Sequence, residues 1–289
     1  MTEVSAPAGP APQLPPIRTD TSDAGLIAAI EADMVASRIV DFELEAEARL
    51  DPDVAWSFGQ LPYPYRCFAA RARFDAETAD DRIREIARPF AERGWALSWW
   101  VAPWDTPGDL RGRLERAGLS HEGASPAMAA DLDALPLDEA RPPGLDIRPV
   151  TNQGAIGAYL DVLAEHTLEG ANVLERRRRF KATLAAAILR RIPTDPVPIR
   201  FLGLVDGQPV ATSRVSLSGG VAGLYSVVTA PSLRGRGIGR GMTVAALAAG
   251  RTAGYRIGVL QSSELGLPVY RRLGFRQLFE YDVFELQGS

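Results

Sequence analysis

Apolar residues recur at helical spacing over residues 22–38, through Leu26, Ile27, Ile30, Met34 and Val35, and Asp23 suits the positive end of a helix there. The pattern then changes period. Residues 54–58 and 65–73 read as strands divided by the breaker cluster Leu61-Pro62-Tyr63-Pro64, and a helix follows over 77–93. The continuous apolar run 95–101 predicts a buried strand, and 109–117 a short helix ended by Gly118. Beyond residue 145 the order becomes regular: a strand at 146–149, helices at 154–165 and 173–191, and strands at 199–205 and 210–217 joined by the hairpin signal Asp206-Gly207. Ser218-Gly219-Gly220 turns the chain into a strand at 221–229. A helix at 237–252, a strand at 255–260, a helix at 264–273 and closing strands at 275–278 and 280–286 complete it. The expected fold class is α/β, an α+β mixed sheet, largely antiparallel and turning locally parallel after residues 231–236.

Composition divides this string of elements. At 289 residues the chain has room for two domains, and with 46% hydrophobic and 24% charged residues it can bury a sizeable core. Pro7, Pro10, Pro12, Pro15 and Pro16 make residues 1–20 a flexible tail, while DALPLDEARPPGLD from residue 133 marks a linker. The expected organisation is a first domain at 21–132, a linker at 133–145 and a second domain at 146–289. A net charge of −4 offers no general attraction to nucleic acid or to an anionic membrane. No apolar stretch reaches the length of a membrane span, and the N-terminus has no leader pattern, so a cytoplasmic location is expected. One cysteine, Cys67, and two histidines leave no basis for a disulfide or a metal cluster, so no metal is expected. The tryptophans at 56, 95, 99, 100 and 104 read as packing residues. The run from Glu175 to Lys181, with four successive arginines, reads as a solvated helix face, and His166 as a helix-end residue on the substrate side at most.

Candidate chemistry concentrates in PSLRGRGIGRGMT, residues 231–243, where Arg234, Arg236 and Arg240 alternate with glycines directly before a helix. Glycines let backbone amides turn inward, a helix start adds unpaired N–H groups, and arginines supply charge-assisted contacts to phosphate oxygens. Arg234, Gly235, Arg236, Gly237, Ile238, Gly239 and Arg240 therefore form a pyrophosphate cradle. The dinucleotide spacing GxGxxG fails, since its third glycine falls on Arg240, Met242 or Val244, and no lysine serves a Walker loop. The spacing met is RxxGxG, with Arg234, Gly237 and Gly239 in the defining places.

Together with the preceding strand, this loop resembles the coenzyme A loop of the GNAT superfamily of N-acetyltransferases. The later stretch GYRIGVLQSSELGLPVYRRLGF, residues 254–275, resembles the same superfamily's splayed strand and following helix, with Tyr270 before GF and Ser263 at a site that is often asparagine. The resemblance implies acetyl-CoA as acyl donor, an amine of a small molecule or protein as acceptor, and a monomer or homodimer. It also implies contacts from Val227, Val228 and Thr229 to the pantetheine arm, and Tyr270 as proton donor to the departing thiolate. Strand 221–229 has no Asp or Glu, so the general base falls to water, Glu264 or a first-half residue. The same gap leaves open a non-catalytic acyl-CoA-binding sensor.

At an offset of about 160 residues the first half overlies the second, helix 77–93 on helix 237–252 and LERAGL at 114–119 on YRRLGF. The pairing implies two tandem GNAT-like domains. Asp75, Glu77, Asp80 and Asp81 replace the arginines and glycines, and Leu114 replaces Tyr270, so the first copy is expected to be degenerate, a scaffold without coenzyme.

Overall fold

The structure is a computed structural model that describes residues 15–37, 47–58, 67–139, 141–167, 173–191 and 199–288. The breaker cluster at 61–64, most of the tail and residues 168–172 of the segment between the second half's first two helices lie outside them.

The described elements run α1 (Asp23–Val35), β1 (Glu47–Leu50), β2 (Ala55–Phe58), β3 (Phe68–Ala70), α2 (Ala79–Ala91), β4 (Leu97–Val101), α3 (Leu110–Arg116) and β5 (Ser120–Asp131). Then follow β6 (Leu145–Pro149), α4 (Gln153–Thr167), α5 (Val173–Arg191), β7 (Ile199–Val205), β8 (Gln208–Ser216), β9 (Ala222–Thr229), α6 (Ile238–Thr252), β10 (Ile257–Gln261), α7 (Leu267–Leu273) and β11 (Arg276–Leu286). The helices and the second-half strands stand where the pattern places them. At the β7–β8 hairpin Asp206 and Gly207 take φ of 50° and 76°, the left-handed pair that a two-residue turn requires.

All eleven strands join one sheet in the order β1-β2-β3-β4-β11-β5-β10-β9-β8-β7-β6. Two of its pairs are parallel, β3 with β4 and β9 with β10, each crossed over by a helix. The order is nearly a palindrome about the antiparallel pair β11–β5. The C-terminal strand lies between β4 and β5, while β5 of the first half lies between β11 and β10. The closing strands expected at 275–278 and 280–286 are one strand: a register shift between Gln277 and Phe279 bulges it without breaking it.

Helices cover both faces. On one, α1 buries Leu26, Ala29, Ile30 and Met34 against Val221, Ile257 and Val259, and α4 and α5 pack over Leu202 and Leu204. On the other, Ala246 and Leu247 of α6 and Tyr270 and Leu273 of α7 pack with Leu224 and Leu260. Ser22 caps α1, its hydroxyl accepting from the Gly25 amide at 3.1 Å. Trp99 is fully buried, and the other four tryptophans pack against the two clusters nearest the sheet's first-half side. Residues 15–20 are held by the Arg18 amide, which donates to the Gly220 carbonyl at 2.9 Å. Within 133–145, Leu135 and Leu137 are buried in the α6 cluster.

Candidate active site

The loop from β9 to α6 presents its amides to solvent. A short 3-10 turn over Pro231–Leu233 leads into Gly235 and Gly237, at φ of 78° and 79°, where a side chain would be strained. Gly237 caps α6 without a side-chain bond, and the first helical bond runs from the Gly241 amide to the Gly237 carbonyl at 2.9 Å. Among the described residues the amides of 235–240 donate to no protein acceptor. Consecutive unpaired donors at a helix's positive end are the donor set a diphosphate requires, so the cradle fits coenzyme A. Arg236 is exposed, and Arg234 is turned back so that its Nε donates to the Thr229 carbonyl at 3.3 Å. Arg240 is already paired, its Nε donating to Glu139 at 3.1 Å, so it can serve phosphate only by exchanging partners.

Beside the loop the sheet splits. β9 and β10 pair only at Ala222–Gly258 and Gly223–Val259, after which β9 continues along β8 to Thr229. The Ala230 amide donates to Val210 of β8 at 2.9 Å. Amides alternate along a strand, so those of Val227 and Thr229 face the split, and that of Val228 faces β8. Ser226, at φ 53°, and the register shift against β8 between Thr212 and Arg214 turn the strand at this place.

Tyr270 lies under the split on the α6 face. It is 9% exposed, its ring edge-on to Phe275, and its hydroxyl is hydrogen-bonded to Thr243, whose own hydroxyl donates to the Gly239 carbonyl at 2.9 Å. The phenol is therefore tied to the first turns of the helix that carries the cradle. Burial pushes its pKa up to about 12, against the smaller opposing effect of the Thr243 hydrogen bond. Ser263 is exposed; its carbonyl accepts from Leu267 at 3.0 Å and its hydroxyl from Gly266 at 3.3 Å, which starts the turn into α7. Glu264 is exposed beside it.

The α1 face of the same split holds groups that sequence reasoning did not single out. Asp33 of α1 is fully buried, accepts from the Ser37 hydroxyl at 2.8 Å and is hydrogen-bonded to the Tyr225 hydroxyl of β9. Gly223 makes room, since a Cβ there would collide with the Asp33 carboxylate. The first half thus delivers a carboxylate to a strand that has none. Arg214 of β8 lies over the Tyr225 ring, its Cζ 4.9 Å from the centroid. The only sequence-level signal is that Asp33 and Arg214 interrupt otherwise apolar or small-residue faces.

Residues 199–277 match the family model for an acetyltransferase (GNAT) domain. The match lies within the second half of the chain. None of the curated proteins compared matches the chain. Among solved structures, a GCN5-related N-acetyltransferase from Kribbella flavida is similar with a TM-score of 0.68 and 20% identity, over 91% of this chain and 96% of its own. A functionally unknown protein from Staphylococcus epidermidis gives 0.63 and 15%, over 89% and 100%. A tandem GNAT protein from the clavulanic acid biosynthesis pathway gives 0.54 and 15%, over 96% and 98%. At these identities the likeness is one of fold: a mixed α/β fold of GNAT type with one large mixed sheet.

The matched GNAT residues span the loop, the split and Tyr270, while α4, α5 and the first half lie outside them. The turn before α2 carries Asp75 and Glu77. In the first turn of α2, Asp80 is paired with Arg113 at 3.1 Å and Asp81 with Arg84 at 2.7 Å. Among the described residues no helix is long and apolar enough to cross a membrane, and no group of His, Cys, Asp and Glu is placed to hold a metal.

Proposed function

We propose that the protein is an N-acetyltransferase that moves an acetyl group from acetyl-CoA directly to an amine of a small molecule or protein. The observation that carries the reading is the run of unpaired amides at 235–240 beside a split that opens between β9 and β10. In this reading the amides of 235–240 hold the pyrophosphate, aided by Arg234 and Arg236, with Arg240 joining on release from Glu139. The Val227 and Thr229 amides orient the pantetheine arm and stabilise the oxyanion as the amine adds to the thioester carbonyl. Collapse of that adduct breaks the carbon–sulfur bond, and the Tyr270 hydroxyl, protonated throughout the neutral range, delivers a proton to the thiolate. Ser263 shapes the far wall through its turn. The first half, residues 21–132, is a second GNAT-like copy without a coenzyme site, which lends Asp33 to the split; the near-palindromic strand order and the acidic turn before α2 support that organisation.

Calorimetric titration with acetyl-CoA, followed by thiol release with a panel of amines, tests the reading. Arg236→Glu and Gly237→Asp are expected to abolish coenzyme binding. Tyr270→Phe is expected to keep it while lowering turnover by about 10²- to 10⁴-fold, the usual yield of a positioned proton donor. Full coenzyme affinity in both loop variants would sink the assignment. Coenzyme binding without amine-dependent thiol release would favour an acyl-CoA sensor instead.

A further inference from the structure

On the face of the sheet covered by α1 and α4, Arg214 of β8 stands directly across from Arg200 of β7 on one side and from Tyr225 of β9 on the other. Arg200 is 8% exposed. Two cations directly opposite on one sheet face repel each other, more strongly where water is excluded. Arg214 is half-buried; its Nε is buried with no hydrogen-bond partner, and its guanidinium forms no ion pair with any described residue. A partly buried guanidinium without an ion-pair partner among the described residues is costly to keep. The buried carboxylate on this face, Asp33, is engaged by Tyr225 and Ser37 rather than by Arg214. Tyr225 holds the guanidinium as a cation over its ring, and Tyr159 of α4, hydrogen-bonded to Ser226, feels its charge.

The position of this cation is informative. Its ring partner Tyr225 lies one residue before the bend at Ser226, on the face of the sheet opposite α6 and Tyr270. A donor held by the α6 loop leaves that face to the acceptor.

We propose that Arg214 is the anchor for an oxyanion on the acceptor, so that the acceptor is an amine that also carries a carboxylate or phosphate. The planar guanidinium, fixed over Tyr225, can meet such a group with two parallel N–H donors, and the group supplies the counter-charge that no described residue gives Arg214 as an ion pair. This rests on the acetyltransferase reading for the role of the bound amine, but not for the anion site itself.

Thiol release in saturating acetyl-CoA is measured with matched amines: glycine and glycinamide, phenylalanine and phenylalaninamide, phosphoethanolamine and ethanolamine. At least one anionic member is expected to show a KM about tenfold or more below that of its neutral counterpart. The pair in which the difference appears identifies carboxylate or phosphate. Arg214→Gln is expected to raise the anionic amine's KM about 10- to 100-fold, with the neutral amine's KM and the acetyl-CoA affinity unchanged, and Arg214→Lys to recover part of the loss. The unchanged coenzyme affinity shows that the variants are folded. Calorimetric titration of the same amines in the presence of coenzyme A separates the two readings: anionic amines that bind through Arg214 without thiol release uphold the anion site and overturn the transferase. Equal affinities within every pair, no effect of Arg214→Gln, or no binding and no reaction across the panel overturns the anion site.

Discussion

Tyr270 joins chemistry to stability in one side chain. Its burial in the cluster of α6 and α7 favours the neutral phenol, with a pKa of about 12 in the folded protein against 10.0 for an ordinary tyrosine. A group whose folded value is raised contributes fully below its unfolded pKa, and the contribution is lost as pH rises through the folded one. Stability should therefore fall between pH 10 and pH 12 by about 2 to 3 kcal/mol from this residue. Tyr159 and Tyr255, also raised by burial, add to the fall. Urea unfolding at pH 8, 10 and 11 is expected to show a shallower loss for Tyr270→Phe than for the wild type. Identical slopes would place the origin elsewhere. The same burial means that the basic limb of turnover should not appear at the pH where a free phenol ionises, which kcat measured up to pH 10 can check.

Among elements, α6 is packed on both sides. One side lies on β8 and β9; the other meets the segment before β6, where a Cβ at Gly241 would fall 2.9 Å from Leu145 Cδ2 and 3.0 Å from Pro142 Cδ. Gly241→Val should therefore overpack this contact and cost about 1 to 3 kcal/mol, read as a lowered urea midpoint. An unchanged midpoint would mean that residues 141–145 yield freely. Such contacts also mark what the sequence could disclose. The cradle, α6 and the parallel β9–β10 step were legible because glycine and arginine spacing and helical periodicity are local signals. β5 was not: Ser120–Asp131 carries Gly123, Pro126 and several alanines, no β-branched residue, and is a strand because β10 and β11 pair with it on both edges. The Leu278 bulge hid the continuity of β11 in the same way. Arg214, Tyr225 and Asp33 meet from positions far apart in the chain, so no motif spacing could announce them.

At the scale of the whole molecule, the two halves are bound by exchange of their long strands. Both sheet partners of β11, β4 and β5, belong to the first half; both partners of β5, β10 and β11, belong to the second. Residues 141–289 alone would leave β11 without a partner and one edge of β10 open, and residues 1–140 would do the same to β5. Separately produced, the two fragments are expected to be aggregation-prone and unable to bind acetyl-CoA; refolded together, they should regain binding with about one coenzyme per pair, because the acidic turn before α2 repels phosphate. The intact chain should accordingly unfold in a single calorimetric transition. A second half that alone bound acetyl-CoA with full affinity and unfolded cooperatively would show the exchanged strands to be dispensable. Two equivalent coenzyme sites per intact chain would instead restore a working cradle to the first half, against its pairing of Asp80 with Arg113 and Asp81 with Arg84.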